Sequence, residues 1–406
     1  MKNKMNKNKG ITLIALVITI IILLILAGIA IASLTGDNGL FARANQARQN
    51  TLDAQNAENA TLEGYEDAID YVLGAEITGV DTEITKPEEA MPAGATVIQG
   101  DASEGIVIRD ENGNEWVWVE VPKTAEVYST VGTDLDVENI TDDQCTTIYS
   151  DLATYASAYR KDGWEDTFYS IDQAGFADAT AYNTAKNNML RSVYKYGGFW
   201  IGRYEVGDAN ATASNITRTG TTGTSNKAVI KANQIPYNYV TCKEAQELSN
   251  GLSTGGKTSS LMFGIQWDLT CRFLETKGGL TQEQIKTDSK EWGNYSNSTI
   301  LLSQGKYNTS SNNSSSQWLD VTPGAKNGTM LLTTGASEDT NKMNIYDFAG
   351  NENEWTLETY TSETSHPCAR RGGFYSGSSS NNPASVRPST YTTYGTSIIG
   401  FRPSLI

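Results

Sequence analysis

The chain has 406 residues, too many for one ordinary domain and enough to bury a large core. Its 31 Lys and Arg stand against 47 Asp and Glu, and the resulting net charge of −16 repels phosphate backbones, so no nucleic-acid partner is expected. The single histidine, His366, and four widely spaced cysteines with no C-x-x-C pair (Cys145, Cys242, Cys271 and Cys368) speak against a zinc cluster. Disulfides in an extracytoplasmic chain and free buried thiols are both open, because four cysteines allow three pairings.

Four lysines (Lys2, Lys4, Lys7 and Lys9) precede an apolar run from Ile11 to Ala32. As a helix the 22 residues of this run would span roughly 33 Å, enough to cross a bilayer. The lysines should stay cytoplasmic, which places everything after Ser33 outside and makes a single-pass cell-membrane protein. A plain anchor and a signal peptide cut after Ala30-Ile31-Ala32 are two readings of this segment. The letters Lys9-Gly10-Ile11-Thr12-Leu13-Ile14, followed by a purely apolar stretch, support a third. They resemble the prepilin-type leader of type IV pilins and pseudopilins, which implies cleavage between Gly10 and Ile11 by a prepilin peptidase, methylation, and pilin-like subunits as partners. The family's usual Glu at the fifth mature position is Ala15 here, which favours a minor or tip subunit over a bulk filament subunit.

After this helix (residues 11–33), the spacing of Leu40, Ala44, Ala47, Thr51, Ala54, Leu62, Tyr65, Ile69 and Val72 predicts a helical stalk over 34–74, ended by Gly74. Residues 75–100 mix Pro, Gly, Thr and acids and read as a linker with one short strand. A hairpin follows across Asp110–Asn114, with Trp116 and Trp118 on one strand face and Val117 and Val119 on the other. Residues 123–175 have weak periodicity and read as an insertion or long loop. Phe176, Ala179, Met189, Leu190, Val193 and Tyr194 predict a helix ended by Gly197-Gly198, then a strand from Phe199 to Val206. Residues 207–228 read as a polar loop. Thr241 and Glu244 form a capping box for a further helix, and Trp267, Cys271 and Leu274 mark another. A polar stretch over 292–316 gives way to core-like spacing at Ile345, Phe348 and Trp355.

Four pieces line up in order: Tyr196-Gly-Gly-Phe-Trp-Ile-Gly-Arg-Tyr-Glu205, Tyr346-Asp-Phe-Ala-Gly-Asn-Glu-Asn-Glu-Trp-Thr356, Arg371-Gly-Gly373 and Gly400-Phe-Arg402. Together they resemble the formylglycine-generating enzyme/sulfatase-modifying-factor family. The resemblance implies an α+β, C-type-lectin-like domain over residues 101–406. It also implies a copper site built on two cysteines five apart, soon after the Arg-Gly-Gly turn. Those places fall at about Gly377 and Asn382, and neither residue supplies the thiolate that soft copper(I) needs. No catalytic residue is therefore expected. The resemblance further implies structural calcium near Asn351 and Glu354, whose oxygens suit a hard cation, although Asn353 replaces the family's usual tryptophan.

Phe374, Tyr375, Ser376, Ser378, Ser379, Asn381, Asn382, Ser389, Thr390, Tyr391, Thr392 and Tyr394 are the residue types that dominate recognition surfaces. They predict a ligand-binding face for an unknown surface glycan or protein. The same pattern resembles what diversity-generating retroelements leave in lectin-like scaffolds. The sequence thus points to a non-catalytic cell-surface binding protein, with a surface-anchored enzyme on the same scaffold and a structural pseudopilin as the alternatives.

Overall fold

The computed structural model describes residues 85–100, 104–170, 175–211, 227–309 and 318–406, together with Ile21. The expected leader cleavage between Gly10 and Ile11, the stalk, and all of the 11–33 helix but Ile21 lie outside the described residues. Among the described residues no helix is long and apolar enough to cross a membrane. The stretches from residue 85 onward fall within one compact unit, Asp81–Ile406.

That unit is a mixed α and β fold whose two largest sheets, among the described residues, have six and five strands. The first sheet orders its strands as β1 (Thr96–Gln99), β2 (Val107–Arg109), β3 (Glu115–Glu120), β5 (Gly198–Gly202), β11 (Pro403–Leu405) and β6 (Ser259–Leu261). The β2–β3 hairpin follows from its turn: the Asp110 carboxylate accepts N–H groups from Asn112 and Asn114 and the Trp116 indole N–H at 3.1 Å. Trp116, Val117, Trp118 and Val119 are all buried, as their alternation across two covered faces requires. Each such side chain contributes about 1.5–3 kcal/mol of burial. Residues 85–100, expected as a linker, join this unit: β1 pairs with β2, and the Trp200 indole donates to the Ala90 carbonyl at 3.1 Å.

The second sheet holds the long strand β7 (Asn353–Tyr360), flanked by β8 (Cys368–Arg371) and parallel to β10 (Ile399–Phe401). β9 (Ser389–Thr390) borders β8, and β4 (Trp164–Glu165) pairs with the far end of β7.

The four longest helices among the described residues pack around the sheets. Within the stretch expected as a loop, residues 142–155 form α1 (Asp142–Tyr155), started by a reciprocal Thr141–Gln144 capping box. Its apolar stripe is interrupted by Asp151, which is buried and accepts backbone N–H groups from Thr130 and Val131 at 3.0 and 2.8 Å. A carboxylate at a core position hides the helical period from sequence reading. α2 (Ala179–Tyr196) ends at Gly197 in the left-handed region, φ 71°, as the sequence predicts. α3 (Cys242–Asn250) starts at the predicted Thr241–Glu244 box. α4 (Gly264–Thr276) takes its N-terminal charge from a distant residue, since Asp166 accepts from the Gly264 and Ile265 N–H groups.

Candidate functional site

Strand β8 delivers the chain to the segment expected to meet a ligand. Arg371, at its end, is fully buried and bonds Asp268 at 2.9 Å and Glu358 at 3.2 Å. Arg387 reaches the same two carboxylates, and Arg160 adds a 2.8 Å contact to Asp268. Burial pushes the Asp268 carboxyl up, but Arg387, Arg371 and Arg160 together hold it below the usual range. This network clamps both ends of the segment to α4 and β7.

Gly372 and Gly373 then turn the chain with φ of 89° and 81°. A Cβ on Gly373 would lie 2.2 Å from the Asn382 carbonyl oxygen, so only glycine allows that approach. The following loop is pinned to residues 288–298. Tyr295 donates its hydroxyl to the Gly372 carbonyl at 2.9 Å, Ser296 donates its N–H to Gly377 at 3.0 Å, and the Asn297 amide exchanges two 3.0 Å bonds with Ser379.

Gly377 and Asn382 face each other across this loop. A Cβ on Gly377 would lie 2.8 Å from the Asn382 amide nitrogen and 3.1 Å from the Phe374 ring. The amide is itself tied to the Ser378 carbonyl at 3.0 Å. An amide and a phenyl ring thus fill the space between the two positions.

All four cysteines lie elsewhere, buried and unbridged. Burial pushes the Cys271 and Cys368 thiols up to about 12, so they are neutral thiols without nucleophilic character. His366, the sole histidine, bonds Glu363 at 2.6 Å and packs on the Tyr391 ring with 3.9 Å between centroids.

A profile described as a sulfatase-modifying factor enzyme 1-like domain matches residues 171–403. The chain belongs to the sulfatase-modifying factor enzyme 1-like family. Within this family member, the lectin-like scaffold expected from the four motifs is present, and Gly377 and Asn382, where the resemblance led copper cysteines to be expected, are in contact. Among solved structures it is similar to Treponema denticola variable protein 1, at 16% identity, covering 51% of this chain and 84% of that one, with a TM-score of 0.29. Comparison with curated proteins gives no match.

The expected ligand residues divide by burial. Ser376, Asn381 and Tyr391 are exposed, while Phe374, Ser378, Asn382, Ser389, Thr392 and Tyr394 are partly so. Tyr375, Ser379 and Thr390 are buried, which corrects their place on a contact face. Tyr375 fills a small second core with Ile235, Trp318 and Leu331, and Ser379 is consumed by Asn297 and Asp288. Their residue types suit a surface, but Tyr375 and Ser379 fold inward after the Gly372-Gly373 turn, and Thr390 pairs with Cys368 on β8.

Asn351 and Glu354 are both buried, and protein partners take up their oxygens. The Glu354 carboxylate receives Arg402 Nε at 3.1 Å and Nη2 at 2.8 Å. Asn351 Oδ1 accepts from Asn294 at 2.8 Å and from the Leu332 N–H at 3.0 Å. A cation at this pair would meet a guanidinium already in place, so the residues do not fit calcium in this arrangement. Among the described residues no group of three or more His, Cys, Asp or Glu is placed to hold a metal ion.

Sequence reading missed the acid cluster behind Glu354. Glu205 is pushed well above the carboxylate range by burial and by its neighbours Glu352, Asp347 and Glu354, against the pull of Arg402. The Glu205 carboxylate accepts the Glu352 N–H at 2.9 Å and the Asn351 amide, so it organises the Gly350–Trp355 turn from within. Its presence in the Tyr196–Glu205 motif was the available signal.

A cavity of about 730 Å³ opens between α2 and α3, lined by Phe176, Ala181, Gln246 and Ile406. Its one acid, Asp178, caps α2, so it presents no acid–base pair.

Proposed function

We propose that this family member is a non-catalytic, cell-surface binding protein that presents the outward side of residues 374–397 to a ligand. One observation carries the reading. Where the family's thiolates would stand, Gly377 and Asn382 are in contact through an amide, while the same segment turns Ser376, Asn381 and Tyr391 outward. Tyrosine offers rigid contact area, and Ser and Asn adapt their hydrogen bonds. The ligand is a surface glycan or protein.

In this reading the run from Ile11 to Ala32 anchors the chain with the domain outside the membrane, in a minor or tip position of a pilin-like assembly. The apolar run and its preceding lysines support that. Mass spectrometry of the mature N-terminus is the check: a methylated Ile11 supports processing, and an uncut leader points to a simple anchor. Diversification by a retroelement belongs to the same proposal. A near-repeat template beside a reverse transcriptase gene would support it.

The binding test uses the full chain on glycan arrays and whole cells. Tyr391→Ala is expected to lower binding at least tenfold without altering thermal stability, because Tyr391 is half exposed and its ring packs on the His366 ring at the surface. Turnover of any member of a substrate panel, lost on substitution of Glu354 or Asp347, would replace this reading with an enzyme.

A further inference from the structure

Residues 369–406 contain four arginines and no acid, in a chain that carries 47 acids elsewhere. Three of the four have carboxylate partners: Arg371 and Arg387 on Asp268 and Glu358, and Arg402 on Glu354. Arg370 has none among the described residues. It is partly buried, and its Nε is shielded from water with no hydrogen-bond acceptor. The Tyr394 ring lies over it, its centroid 5.6 Å from the guanidinium carbon. Burial lowers the Arg370 pKa, with Tyr394 opposing, and no carboxylate acts on it.

The backbone explains this placement. Arg371 is committed to the buried network, and Arg370, the preceding residue on β8, meets the 389–397 segment instead. Its N–H donates to the Pro388 carbonyl at 3.2 Å. A turn closed by the Tyr394 N–H on the Tyr391 carbonyl, also 3.2 Å, holds the Tyr394 ring against the guanidinium. Tyr391, exposed, stands three residues earlier on the same turn. A partly buried guanidinium with no carboxylate partner among the described residues is a place where an anionic group from outside would be stabilised.

We propose that Arg370 is the receptor for an oxyanion, a carboxylate or sulfate group carried by the ligand of the 374–397 surface. The inference rests on the binding reading above and names the chemistry of its ligand. The planar guanidinium fork suits two parallel bonds to such a group, and the tyrosine ring fixes the fork's orientation. The acid-free segment lets a single anionic group approach a chain whose overall charge repels polyanions.

Phenylglyoxal modification of the full chain, mapped by peptide mass spectrometry at constant ionic strength, tests this. Arg370 is expected to react at least tenfold faster than Arg371, Arg387 and Arg402. Sodium glucuronate or sodium sulfate is expected to slow it at least threefold, while glucose does not. Protection by glucuronate alone identifies a carboxylate, and protection by sulfate alone identifies a sulfate ester. Protection by both supports an oxyanion receptor of either kind. An Arg370 rate equal to that of the buried arginines, or one that neither anion slows, would overturn the proposal. The assay needs no cell-surface ligand, so its failure is separable from loss of the binding reading, which Tyr391→Ala reports through cell binding.

Discussion

Arg402 clasps Glu354 from 48 positions away in sequence, with Nε 3.1 Å from both carboxylate oxygens and Nη2 2.8 Å from one. Both residues are buried, and the guanidinium also donates to the Gly202 and Tyr346 carbonyls at 2.7 and 2.8 Å. The two family motifs that contain them therefore act as one structural joint between the sheets.

That joint has a pH signature. Burial raises the Glu354 carboxyl from its ordinary 4.5 to about 7, although Arg402 pulls it down. An acid whose pKa is higher in the fold stabilises it in the protonated form. The contribution is full below pH 4.5 and is lost as pH rises through about 7. Glu354→Gln should flatten that part of the profile, so its Tm should change less between pH 4.5 and 7 than the native protein's. Equal slopes by scanning calorimetry would contradict the assignment.

Arg371→Ala should destabilise the domain by about 3–5 kcal/mol, because Asp268 and Glu358 stay buried with fewer cations. Arg371→Lys should recover little, since one ammonium cannot match a fork that reaches both carboxylates. Denaturant unfolding measures both.

Gly373→Ala should cost at least ~1 kcal/mol through its positive φ alone, with the clash against Asn382 added. If the Gly372-Gly373 turn sets the loop as described, this variant also lowers cell binding. Native stability and binding together would show that the turn is dispensable.

The Gly377–Asn382 contact predicts a gain of chemistry. The double variant Gly377→Cys/Asn382→Cys should bind one copper(I) per chain in competition with a bicinchoninate chelator, and the native chain should not. Failure of the folded double variant to bind would mean that the two positions no longer form a thiolate pair's geometry.

Much of the framework was written locally. The Trp116–Val119 alternation, the Thr241–Glu244 box and the Gly197 stop each place their cause within a few residues of their effect. The α1 helix escaped because Asp151 occupies a core position that sequence patterns reserve for apolar side chains. Most of the expected recognition face was legible in residue type. The burial of Tyr375, Ser379 and Thr390 was not, because it depends on contacts with Ile235, Asn297 and Cys368, partners supplied by distant parts of the chain.

By itself the sequence determined the family scaffold, the absence of cysteine after Cys368 and the acid-free closing segment, since each is a property of residue identity and order. Only the tertiary structure decided which closing residues face outward, that Glu354 belongs to Arg402, and that Arg370 has no carboxylate partner among the described residues. The physical reason is reach: hydrogen bonds and ion pairs act over about 3 Å in space, and the chain brings residues from tens of positions apart into that range only when it folds.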